Sequence, residues 1–96
     1  MKYIKIKGSK YELCKCNSND FEDILYNEVG CNFGKRYSID SKYIIFEDNT
    51  LEGEESTLLK ESFFNRSVFG TVIIIPRIGK LTKNVINIKE IINENS

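Results

Sequence analysis

The stretch Val68-Phe-Gly-Thr-Val-Ile-Ile-Ile75 constrains the fold more than any other part of the chain. β-Branched residues lose side-chain freedom in a helix and pack well on a pleated surface, so this run predicts a strand over 68–75. Side chains alternate along a strand, which sets Val72 and Ile74 on one face and Ile73 and Ile75 on the other. Both faces are apolar, as expected of a central strand covered on each side. Pro76 has no N–H and limits the ladder at its end.

A chain of 96 residues has interior for one core only, so residues 1–96 read as a single domain. Its 14 isoleucines place it among globular sequences despite the many Asn and Lys. The opening strand, 2–7, sets Ile4 and Ile6 against Tyr3, Lys5 and Lys7, and Gly8-Ser9 permits a turn. A second strand, 11–16, carries Tyr11 and Leu13 opposite Glu12, Cys14 and Cys16, which leaves its buried face open.

The apolar period then changes at Phe21, Ile24, Leu25 and Val29, predicting a helix over 20–29. Asn19 and Glu22 are spaced as a capping box, and Gly30 suits a left-handed C-cap. Strands follow at 31–37, interrupted by Gly34, and at 43–47. Leu58, Leu59, Phe63 and Phe64 suggest a short helix over 56–65, and Gly79 a turn or a short return over 77–81. Asn87 and Glu90 repeat the capping-box spacing before Ile88, Ile91 and Ile92. The expected class is α+β: a small, mostly antiparallel sheet packed on one principal helix, with shorter middle and C-terminal helices.

Lys plus Arg and Asp plus Glu both number 14, so no net field draws the chain to nucleic acid or to a membrane. The middle is acidic at Glu47, Asp48, Glu52, Glu54 and Glu55. No apolar run reaches the length of a membrane span. The alternating start does not read as a signal peptide, and three cysteines make no oxidative framework, so the expected location is the cytoplasm.

The chain contains no histidine, which removes the commonest general base and every Ser-His or Cys-His nucleophile. The carboxylate pairs Glu54/Glu55 and Asp20/Asp23 read as solubility and helix-start features. No glycine-rich phosphate loop occurs. Cys14-x-Cys16 with Cys31 lacks the usual spacer and would need a fourth zinc ligand such as Asp40 or Glu12, so reduced structural thiols are expected, with no metal and no cofactor. These exclusions point to a non-enzymatic protein.

Two binding surfaces remain. Aromatic and arginine side chains dominate many interfaces, so Phe63 and Arg66, with the acidic Glu52, Glu54 and Glu55, form the leading protein-binding candidates. Tyr3, Lys5 and Lys7 form the alternative, a small platform for nucleic acid that Lys10, Lys15, Lys80 and Lys83 would extend. An open sheet edge would also serve homo-oligomerisation.

The chain also resembles a family of small phage- and plasmid-encoded proteins of unknown function. The resemblance rests on the opening Tyr3-Ile-Lys-Ile, on Tyr11-Glu-Leu-Cys-Lys-Cys, and on the helix running into Val29-Gly30. It extends through Asn65-Arg66-Ser-Val-Phe-Gly70-Thr71-Val-Ile-Ile-Ile to the closing segment 81–92, which is similar to a terminal helix. It implies an accessory protein of a mobile element that acts on host machinery or host defence, with a host protein as partner.

Overall fold

The structure, a computed structural model, describes residues 1–77 and 86–93. Strands β1 (Lys2–Lys7) and β2 (Lys10–Lys15) form the expected hairpin. Gly8 takes the first of its two turn positions at φ 61°, a conformation open to glycine without a Cβ penalty. A helical segment follows in three parts: a 3₁₀ turn (Ser18–Asp20), α1 (Phe21–Ile24) and a π turn (Leu25–Val29). Neither Asn17 nor Asp20 makes a side-chain cap there, so the Asn19/Glu22 capping box does not govern this start. Gly30 ends the segment at φ 130° and ψ 164°, a glycine conformation but not the left-handed cap.

Among the described residues, strands β3 (Phe33–Tyr37), β4 (Tyr43–Asp48), β5 (Glu55–Ser56), β6 (Val68–Phe69) and β7 (Thr71–Pro76) follow, and then α2 (Ile88–Ile91). The main sheet has five strands in the order β2-β1-β7-β4-β3, every neighbouring pair antiparallel. β5 and β6 pair separately. The chain is therefore an α+β domain, as its sequence pattern predicts.

β7 lies in the centre with Ile74 between Ile4 and Ile45. The single long strand expected over 68–75 is divided at Gly70, whose φ of 70° turns the chain out of β6 and into β7. One face of the sheet presents Tyr3, Ile73 and Phe46 to Leu25 and Val29 of the helical segment. Phe21 wedges edge-on between Tyr3 and Phe46, at centroid distances of 6.0 and 5.5 Å. The opposite face presents Ile4, Ile6, Val72, Ile74, Tyr43 and Ile45 to a second cover made by residues 56–68 and α2.

That second cover corrects the helix expected over 56–65. Leu58, Leu59, Phe63 and Phe64 are buried as their apolarity requires, but the backbone runs extended and then turns. Its hydrogen bonds go to distant chain: Lys60 N–H donates to Ile91 O at 2.9 Å and Asn93 N–H to Leu58 O at 2.8 Å. Local backbone bonding is confined to one turn, where Phe63 and Phe64 N–H both donate to Lys60 O at 3.0 and 2.9 Å, and pairing with the 91–93 segment takes the place of a continuous i→i−4 ladder. Asn87 does cap α2, its side chain accepting from Lys89 N–H at 3.1 Å. Past Arg77, the turn expected over 77–81, with Lys80, and the start of the closing segment at 81–85, with Lys83, lie outside the described residues.

Candidate functional site

The β2 edge is the most accessible apolar element of the sheet. Cys16 N–H donates to Met1 O at 3.0 Å, which sets the phase of the ladder. With Lys2 opposite Lys15 and Lys7 opposite Lys10, residues 10, 12, 14 and 16 face β1. Alternation then turns the N–H and C=O of Tyr11, Leu13 and Lys15 away from the sheet. Tyr11 and Leu13 sit opposite Ile6 and Ile4, so they extend the apolar face beyond its cover. Tyr11 remains 41% exposed and Leu13 60%.

The other edge is guarded differently. The hydrogen bonds of Ser38 N–H to Tyr43 O and of Asn49 N–H to Asn32 O leave Phe33, Lys35 and Tyr37 facing outward from β3. Lys35 stands in the middle of that edge, its ammonium 5.9 Å from the Tyr37 ring, and Arg77 lies over the same ring at 4.9 Å. Charge of this kind blunts strand pairing.

The expected nucleic-acid platform loses its aromatic member. Tyr3 is 7% exposed and its ring lies between the sheet and Phe21, so it offers no face to a base. Burial, aided by its hydrogen bond with Cys14, pushes the phenol up to about 12. Lys5 pairs with Glu28 at 3.7 Å, and Lys7 lies exposed at the hairpin end.

The protein-binding candidates separate. Glu52, Glu54 and Glu55 are exposed, and their loop is held to the hairpin turn by the Ser56 hydroxyl donating to Gly8 O at 2.6 Å. Phe63 is core, packed edge-on against Tyr43 at 5.4 Å, and so presents nothing to a partner. Arg66 descends from the cover and donates to Glu47 Oε1, while Arg36 Nε approaches the same oxygen at 3.8 Å. Glu47 is 1% exposed, and its Oε2 has no hydrogen-bond partner among the described residues.

Cys14 donates its thiol to Glu12 Oε1 at 3.4 Å, and burial followed by that contact pushes its pKa up. That direction disfavours the thiolate, the reactive and metal-binding form. Cys31 is exposed, and among the described residues no Cys, Asp and Glu cluster has the geometry of a metal site. An open groove of about 890 Å³ lies at one end of the sheet, bordered by Lys2, Lys15, Cys16, Asp20, Ile24 and Pro76. No described helix is long and apolar enough to cross a membrane.

Alternation alone announces Tyr11 and Leu13 as one face of a strand, but their availability follows from strand order. Their partners in β1 are buried while they are not. Comparison with family models, with curated proteins and with solved structures returns no match for this chain.

Proposed function

We propose that this chain is a non-enzymatic protein-binding module that takes an extended segment of its partner onto the β2 edge. The observation that carries this reading is the outward-facing backbone of Tyr11, Leu13 and Lys15 beside two exposed apolar side chains. Strand addition supplies main-chain hydrogen bonds for affinity and alternating side-chain positions for selectivity. A partner segment suited to this edge places apolar residues beside Tyr11 and Leu13 and an acidic or aromatic residue beside Lys15. The resemblance to phage- and plasmid-encoded proteins supports a host protein as the source of such a segment. Exposed Glu52, Glu54 and Glu55 lie near the turn end of the same hairpin, where they favour a basic flank on that partner.

The test is a titration of extended peptides, alternating apolar and polar residues, followed through backbone amide resonances. The amides of Tyr11, Leu13 and Lys15 should shift and exchange more slowly. Leu13→Pro should abolish the effect and keep the fold, because the N–H it removes faces away from β1. Shifts confined to the end groove or to the acidic loop, or binding unchanged in Leu13→Pro, would refute strand capture.

A further inference from the structure

We infer that a second copy of this chain is a partner for the β2 edge, joined about a two-fold axis that passes through Leu13. The inference rests on the strand-capture reading and adds one further strand the edge can take, the chain's own, with its register. An antiparallel pair related by a two-fold perpendicular to the sheet has few permitted registers, because side chains on one face must meet side chains on the same face.

Centring the pair on Leu13 sets Leu13 against Leu13 and Tyr11 against the second copy's Lys15. All three outward-facing residues of each strand then lie in hydrogen-bonded positions, so every outward N–H and C=O from Tyr11 to Lys15 is satisfied. Centring on Glu12 opposes two carboxylates, which is destabilising, and leaves Lys15 beyond the paired region. Centring on Cys14 sets Leu13 against Lys15 and sends Tyr11 past the end of the strand to Asn17. The Leu13 register also buries the apolar extension of the Ile4 and Ile6 face against its own copy. It brings the Lys15 ammonium near the Tyr11 ring, a favourable contact.

The corresponding full-length register is disfavoured at the other edge. A two-fold through the middle of β3 opposes Lys35 to Lys35, like charge on like charge. One edge of the sheet is thus self-complementary and the other self-repelling, so the assembly closes as a dimer and does not propagate as a fibre.

Sedimentation equilibrium of the wild-type chain and of Leu13→Glu and Leu13→Lys tests the register directly. Residue 13 is exposed, so neither substitution disturbs the core. Wild type should dimerise with rising concentration, and each variant alone should be monomeric there. An equimolar mixture of the two variants should form heterodimer at least about tenfold more tightly than either forms homodimer, since residue 13 faces its own counterpart. A wild-type chain that stays monomeric to millimolar concentration, or a mixture no more associated than its components, overturns the inference. Peptide-induced shifts at Tyr11, Leu13 and Lys15 in such a monomer would leave strand capture standing. Their absence would remove both.

Discussion

Replacing Arg66 by Met should destabilise the fold far more than replacing the Glu47 it contacts. Glu47 is 1% exposed while Arg66 is 39% and Arg36 47% exposed. Among the described residues, Arg66→Met leaves the buried carboxylate with only the Arg36 guanidinium at 3.8 Å and an Oε2 without a hydrogen bond. Breaking a buried pair from one side costs about 3–5 kcal/mol. Remaining attraction to Arg36 and the solvent around Arg66 reduce this to about 2–3 kcal/mol.

Glu47→Met is the opposite case, because both guanidiniums can turn outward into water and an apolar side chain of similar length takes the buried position. That variant should lie within about 1 kcal/mol of wild type. The double variant should recover most of the loss, giving a coupling of about 2 kcal/mol. Urea unfolding reads this directly: with a slope near 1 kcal/mol/M, Arg66→Met should lower the midpoint by about 2 M. The reasoning fails if Arg66→Met lies within 0.5 kcal/mol of wild type on a measurement of about that precision, or if Glu47→Met is the more damaging change.

Ile74 is fully buried in the central strand, so Ile74→Ala should cost about 2–5 kcal/mol by chemical denaturation; a loss below 1 kcal/mol would contradict its central packing. Tyr3 ionises near 12 in the folded chain and near 10 when unfolded. Its contribution is therefore fully present below pH 10 and is lost from pH 10 toward 12, at up to about 1.4 kcal/mol per pH unit. Tyr3→Phe should flatten that part of the stability–pH curve, and an unchanged slope would refute the assignment. Gly70→Ala should cost about 1–3 kcal/mol by thermal unfolding, since φ is 70° and a Cβ would stand 3.0 Å from Glu52 O; an unchanged melting temperature would show that the β6–β7 bend adapts.

What the chain discloses before folding is mainly which residues leave water. Ile4, Ile6, Leu25, Val29, Ile91 and Ile92 are all buried where their periodicity places them. Backbone form is less legible. Leu58, Leu59, Phe63 and Phe64 have a spacing that fits a helical stripe, yet Leu58 and Lys60 bond to residues 91–93, a pairing no local window contains. The Val68–Ile75 run shows its apolarity plainly, whereas the bend at Gly70 depends on β6 pairing with β5. The candidate binding edge is least legible of all, because Tyr11 and Ile6 look alike in an alternating strand. Only β1's position next to β7 makes Ile6 interior and leaves Tyr11 at the rim.

The central place of β7 also dictates an order of assembly. The β1–β2 and β3–β4 hairpins can each close from neighbouring chain, but nothing joins them until β7 enters between β1 and β4. On a ribosome, the two halves must wait for Pro76 to emerge before the sheet exists. Until then the inner edges of β1 and β4, lined by Ile4, Ile6 and Ile45, stand open. Closure over such long loops is slow compared with hairpin formation, which is expected to set the folding time in the millisecond-to-second range. The interval before closure is the chain's period of greatest exposure to aggregation, and a chaperone that shields strand edges would act there.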